Sequence, residues 1–284
     1  MMNLDIIEQL RQKLILLVNG ITATKVGVAF SGGIDSSLLA KICKDVGKET
    51  KLLTIGFVDR KDVEISTKIA TMMDLDICHE LVPLKELENG LKAVLAKIEF
   101  DRMVRFENCV CFYYVFRLAA KQGLKTVLSA NGMDELFCGY TVYKTHYGNE
   151  ASMESLMKTL VNVALKDATE IKKIAQLFDI DYICPFLSEE FAAFAIQIPI
   201  CYKIKDPNDN IRKHILRDVA LRIGVPQQAA SKPKKAFQYS SGIHKAIQRL
   251  AKINGFTKNR AKIYGYKSEM EAYIDDLKRL YGIC

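Results

Sequence analysis

The stretch VGVAFSGGIDSSLLA, residues 26–40, decides how this chain is read. An apolar, valine-rich run over Lys25–Phe30 has the composition of a buried strand. It stops on Ser31-Gly32-Gly33, and an apolar helical pattern restarts over Ser37–Val46 with Asp35 or Ser36 near its N-cap. In an open parallel sheet, ligands bind outside the carboxyl ends of the strands, where this turn would lie. Gly32 and Gly33 let backbone N–H groups approach an anion, and the hydroxyls of Ser31, Ser36 and Ser37 can donate to phosphate oxygens. Asp35 is a poor neighbour for phosphate unless a divalent cation lies between them, so the turn predicts Mg²⁺. It has neither the lysine of a P-loop nor the GxGxxG spacing of a dinucleotide site.

Outward from this turn, strand and helix patterns alternate. Strands are expected at Lys51–Phe57, Ile77–Val82 and Thr126–Ser129, and helices at 4–18, Lys61–Met73, 84–97 and 109–122. Such alternation implies parallel βαβ units. Beyond about residue 150 the strand signal vanishes, and helical periodicity covers 151–178, 188–198, 208–223, 242–252 and 267–281. The expected organisation is an α/β half over residues 1–150 and a helical half over 151–284, which can form one continuous unit.

Composition narrows the function classes. The 284 residues are 49% hydrophobic and 26% charged, an ordinary globular mixture. Forty-one lysines and arginines against 33 acidic residues leave a net charge of +8. That suits an anionic ligand such as a nucleotide, without the basic stripe that would argue for nucleic acid. No apolar run of 18 residues spans a membrane and the first 18 residues are amphipathic rather than a secretory signal, so a cytoplasmic location is expected. Its eight cysteines then read mainly as small buried apolar residues. His79, His146, His214 and His244 have no metal-ligand spacing, and Glu99 and Glu107 are candidates for contact with a second substrate.

SGGxDS at residues 31–36 resembles the pyrophosphate loop of ATP pyrophosphatases. Three further stretches, LSANGMDELFCGY (128–140), CPFLSEEFAAFAIQIP (184–199) and KHILRDVALRIGVPQQAASKPKKAF (213–237), resemble the C-terminal synthetase domain of asparagine synthetases, which is shared with β-lactam synthetase. Order and spacing agree over about residues 20–245. The resemblance implies an adenine nucleotide alpha hydrolase-like α/β fold, a parallel twisted sheet with flanking helices and a mostly helical C-terminal region. It also implies ATP and Mg²⁺ as cofactors, with a carboxylate or amide adenylated, pyrophosphate released and AMP displaced by a nucleophile. By the same resemblance Asp35 and Asp134 coordinate Mg²⁺ on pyrophosphate, and Lys234 neutralises the departing charge. Lys213 and Arg217, expected on one helix face, anchor phosphate or the helical layer. Phe30, Ile55, Ser129 and Ala130 offer backbone to adenosine beside Gly56 and Gly132. Tyr140 is expected to pack rather than react.

The sequence also departs from that family. It opens Met1-Met2-Asn3 where glutamine-hydrolysing members open Met-Cys, so nitrogen is expected from free ammonia, an amine substrate or a separate glutaminase. Asn131 stands at a Glu or Asp position, Ile183 at an Arg position and Ser188 at an Asp position. An amide cannot act as a general base, and loss of a guanidinium removes a carboxylate anchor. ATP-side residues are kept while acceptor-side residues change, which points to an acceptor other than aspartate. Cys109-Val110-Cys111 with Cys184 resembles the cysteines of tRNA-thiolating members of the superfamily, so a sulfur transferase acting on tRNA or a small molecule is an alternative. On a helix, Cys109 and Cys111 point about 200° apart, so they meet one metal only if the helix begins after them. A non-catalytic ATP-binding regulator is the third reading.

Overall fold

The computed structural model describes residues 2–57, 61–232 and 241–282, with side chains described from residue 6 and, after the first gap, from residue 63. Five strands form one parallel sheet: β1 Lys25–Ala29, β2 Glu49–Gly56, β3 Asp76–Leu81, β4 Thr126–Leu128 and β5 Asp181–Ile183, in the order β3-β2-β1-β4-β5. The first four lie within two residues of the expected strands. β5 falls in the gap between the helical stretches 151–178 and 188–198, where no strand is expected, because a three-residue edge strand is too short to display a period of two. Its register, Thr126 beside Asp181 and Leu128 beside Ile183, extends the sheet beyond β4.

Alternation along the strands builds two cores. Val26, Val28, Leu52 and Leu128 face α1 (Met2–Asn19), α2 (Ile34–Asp45), α8 (Glu189–Gln197) and α9 (His214–Ile223). Leu53, Ile55, Val127 and Tyr182 face α4 (Leu84–Leu95), α5 (Met103–Lys121), α7 (Glu150–Ala175) and the helices Ile243–Ile253 and Glu269–Leu280. Helix α3 (Lys61–Met72) lies between β2 and β3 in the chain, and the short α6 (Met133–Leu136) follows β4.

Three helix starts differ from expectation, and each bears on function. α2 begins at Ile34, so Asp35, Ser36 and Ser37 lie in its first turn and Gly33 is the N-cap. α5 begins at Met103, six residues early, which puts Cys109 and Cys111 well inside a helix. α9 begins at His214, so residues 208–213 form a loop. There Arg212 and Lys213 hold φ of 52° and 55°, left-handed values that a helix cannot continue. Lys213 and Arg217 therefore do not share a helix face.

The chain leaves β1 for β2 and β3 on one side, then crosses to β4 on the other. This topological switch between β1 and β4 separates the connections and opens a crevice at their carboxyl ends.

Candidate active site

The loop after β1 is shaped by its own serines. Ser36 Oγ accepts from the Ser31 amide at 3.2 Å and donates to the Gly33 carbonyl at 3.3 Å, while Ser31 Oγ accepts from the Gly33 amide at 3.4 Å. Gly32 has φ of +64°, and a Cβ there would stand 3.1 Å from the Ser66 Cα. Only glycine supplies both the backbone angle and the clearance. Ser37, fully buried, has a hydroxyl without a hydrogen-bond partner among the described residues and lies outside the cavity wall, so the structure does not offer it to phosphate.

A cavity of ≈ 160 Å³ opens over this loop, and the loop after β4 supplies its opposite wall. Ser31, Gly33, Asp35 and Ser36 line one side, and Ser129, Ala130 and Asp134 the other. Lys213, only 1% exposed, reaches between them: its Nζ lies 2.8 and 2.6 Å from the two carboxylate oxygens of Asp35 and 2.6 Å from Asp134 Oδ1. Burial alone would lower the pKa of this ammonium, but the two carboxylates outweigh it and hold the pKa above the ordinary lysine range. Both sequence-predicted metal ligands thus converge on one point, with a cation of the chain's own between them.

Asp209 sets the Lys213 turn. Its carboxylate accepts the backbone amides of Lys205, Ile211 and Arg212 at 2.8–3.0 Å and faces His214 Nε2 at 2.6 Å. Burial would raise its pKa, but these donors hold it well below the usual carboxylate range. The loop is thereby fixed by a charge that stays ionised at neutral pH.

Arg217 lines the cavity, yet its guanidinium is directed to backbone carbonyls: Nε to Arg212, Nη2 to Ile211 at 2.8 Å, and Nη1 to Ala230, with longer contacts to Lys232 at 3.4 Å. Of its two expected roles, the geometry supports anchoring the helical layer and the loop that follows it. Lys232, which drew no functional reading from sequence, points its Nζ at the Ser31 carbonyl at 3.3 Å and lines the cavity. Lys234 lies outside the described residues, as does all of 233–240. The described ends of that segment flank the strand ends, with Lys232 beside Ser31 and the Ser241 carbonyl accepting from the Phe57 amide at 3.0 Å.

The backbone residues expected around adenosine are placed variously. Ser129 and Ala130 line the cavity; Phe30, Ile55, Gly56 and Gly132 do not. The Phe30 amide donates to Leu53 and its carbonyl accepts from Thr54 Oγ1 at 2.8 Å, while the Gly56 carbonyl accepts from Val82. Gly132 instead donates its amide to Glu135 Oε2 at 3.1 Å. Tyr140 donates its hydroxyl to Glu135 Oε1 at 2.7 Å, and both side chains face the cavity. Asn108 and Phe112, one turn apart on α5, complete the wall. A helix read as starting at 109 hides that pair.

The three acceptor-side departures do not share a site. Asn131 lines the cavity over the β1 loop and donates through Nδ2 to the Tyr182 hydroxyl at 3.2 Å. That hydroxyl is 2.7 Å from Ser129 Oγ, which in turn lies 3.4 Å from Cys184 Sγ. Ile183 and Ser188 line a second cavity, of ≈ 670 Å³, walled by α1, α7 and the segment after β5. Cys109 and Cys111 are fully buried inside α5, and burial pushes both thiols above their ordinary pKa. Cys184 is pushed up by burial as well. No group of three or more His, Cys, Asp or Glu side chains suited to a metal occurs among the described residues. Glu99 is exposed, and Glu107 is buried with its carboxylate 2.7 Å from His244 Nδ1.

A parallel sheet with a strand-end crevice, a serine–glycine loop and an opposed aspartate pair defines an α/β protein with a polar site at its strand ends. Comparison with known proteins specifies it: the asparagine synthase family model matches residues 21–177 and 157–277, and the chain belongs to that family. A Methanocaldococcus jannaschii relative carrying the name of a glutamine-hydrolyzing asparagine synthetase is 31% identical over 90% of this chain and 51% of its own length. The asparagine synthetases of Rattus norvegicus and Homo sapiens are each 26% identical over 84% of this chain and 44% of theirs. The chain thus spans about half the length of the curated relatives it matches. Among solved structures, NMN synthetase from Francisella tularensis aligns with 96% of this chain and 93% of its own at 14% identity and a TM-score of 0.44. The U34-tRNA thiolase from Methanococcus maripaludis, with its 4Fe–4S cluster, covers 97% of this chain and 79% of its own at 14% identity and a TM-score of 0.39. No helix among the described residues is long and apolar enough to cross a membrane.

Proposed function

We propose that this chain is an ATP-dependent ligase that adenylates a carboxylate or amide, releases pyrophosphate and passes the activated group to a nitrogen nucleophile. The convergence of Asp35, Asp134 and Lys213 across the β1/β4 crevice carries this reading. A pair of partly buried carboxylates already sharing one cation is a donor set that fits Mg²⁺, which prefers oxygen ligands. Bound with ATP, Mg²⁺ would neutralise charge on the departing phosphates. Asp35 and Asp134 would hold it there. The Ser31–Ser36 loop would present amides and hydroxyls to the same phosphates, and Lys213, Lys232 and Lys234 would supply cations as charge develops on pyrophosphate. Ser129 and Ala130 would support the nucleoside.

The acceptor is proposed to be other than aspartate, with ammonia, an amine or a separate glutaminase as nitrogen source. Support comes from Asn131, which lines the cavity beside Ser129 and donates to the Tyr182 hydroxyl, a neutral amide where the family has an acidic residue. The test is pyrophosphate production from Mg–ATP over a panel of carboxylic acids with ammonia. Acid-dependent release is expected. Nucleotide binding with no release under any combination would favour the regulatory reading, and iron, labile sulfide or persulfide in anaerobic preparations would favour sulfur transfer.

A further inference from the structure

We infer that Lys213 is a built-in counter-ion that keeps free divalent metal out of the Asp35–Asp134 pair, so that metal enters only together with nucleotide. The inference rests on the ATP–Mg²⁺ reading above and deepens it.

The ammonium occupies the point at which the carboxylates meet, within 2.8 Å of three of their oxygens. A metal bound to both would need that same point, and an ammonium and a dication cannot share it without strong repulsion in a water-poor site. Lys213 cannot step aside into solvent, because its side chain is 1% exposed. Its stem is held in a slot cut by Gly139: a Cβ there would stand 2.5 Å from Lys213 Cε and 2.0 Å from Asp134 Oδ1. The left-handed backbone of Lys213, fixed by Asp209, aims the side chain into this slot.

Without nucleotide, entry of a dication would leave a buried ammonium facing no anion, at the full cost of an unpaired buried charge. Bound triphosphate removes that obstacle. Its oxygens would enter the cavity that Lys213 lines and take the ammonium, which would free the carboxylates for the metal that the phosphates bring. Lys213 thereby exchanges one set of anions for another, and neither charge is left uncompensated.

Mn²⁺ serves as the probe, followed by electron paramagnetic resonance. Nucleotide-free wild-type chain should bind Mn²⁺ at least about tenfold more weakly than Lys213→Met, a difference of about 1.4 kcal/mol. The double variant Asp35→Asn/Lys213→Met should lose the site that Lys213→Met creates. Wild type should gain a tight Mn²⁺ site on addition of α,β-methylene-ATP. Equal Mn²⁺ affinity of wild type with and without the analogue overturns the inference, and needs no variant to fold. Equal affinity of wild type and Lys213→Met overturns it as well. If the analogue binds while free Mn²⁺ binds equally well, only the counter-ion role falls; if the analogue does not bind, the ATP reading falls with it.

Discussion

Two groups of residues in the cavity over the β1 loop are built on different physics. The part formed by Asp35, Asp134 and Lys213 is ionic and closely paired, with the ammonium buried and the carboxylates partly so. The part formed by Ser129 and Asn131 is neutral, and it is tied by hydrogen bonds to Tyr182 and Cys184, which line the second cavity behind it. Both belong to the same strand ends, and the loop after β4 contributes to each. Buried charges must be compensated in place, so the ionic side tolerates little change. A neutral network costs less to rearrange, so the second side can vary with the partner molecule while the first remains. This difference is what one family needs if a fixed ATP chemistry is to serve different acceptors.

The ionic side can be tested first, because the largest effect is expected there. Asp35→Asn should lower pyrophosphate release at least 100-fold, about 3 kcal/mol of transition-state stabilisation, in a chain that remains folded by circular dichroism. A loss below threefold would remove Asp35 from the chemistry. Gly139→Ala comes next, since its Cβ has no room beside Asp134 and Lys213. It should destabilise the chain by about 2–3 kcal/mol in denaturant unfolding, the range of overpacked buried sites. An unchanged unfolding midpoint would mean that the slot is not closed.

The cysteines of α5 separate the ligase from the sulfur-transfer reading. Cys109→Ala and Cys111→Ala should each cost about 1 kcal/mol of stability, as small buried side chains do, and leave pyrophosphate release within about twofold. Activity lost at full stability would return those thiols to the mechanism. The smallest effect on folding belongs to the neutral wall. Asn131→Asp exchanges a donor to Tyr182 for an acceptor that the same hydroxyl can serve, so stability should move by less than about 1 kcal/mol. Its effect should fall on which acid or amine supports turnover. If Asn131→Asp destabilises more than Gly139→Ala, the contrast between the two sides is wrong.

Much of this was legible in the sequence for a local reason. The first four strands, the glycine turn after β1 and the second acidic residue at 134 are written in short patterns of hydrophobicity and turn chemistry, and their positions hold to within two residues for the strands. The family resemblance added residues far apart in the chain. Other features were hidden. β5 owes its existence to pairing with β4 rather than to its three residues. Lys213 reads as helical from its surroundings, but it follows a loop pinned by the Asp209 carboxylate and is left-handed. Cys109 and Cys111 are close enough in sequence to suggest a metal or redox role as an alternative, and only their enclosure in α5 removes them from it. Lys232 drew no functional reading of its own, although it reaches the Ser31 carbonyl from 201 positions away.

The sequence by itself determined the class of the protein: a parallel α/β chain whose strand-end loop SGGIDS is suited to an anion with a divalent cation, and whose family follows from motifs in a fixed order. Those properties depend on neighbours along the chain. Only the tertiary structure decided what stands between the two aspartates and how the acceptor-side substitutions divide, with Asn131 on the cavity over the β1 loop and Ile183 and Ser188 on another. Those outcomes depend on where charges far apart in sequence are forced to compensate one another once water is excluded, and no local pattern records that.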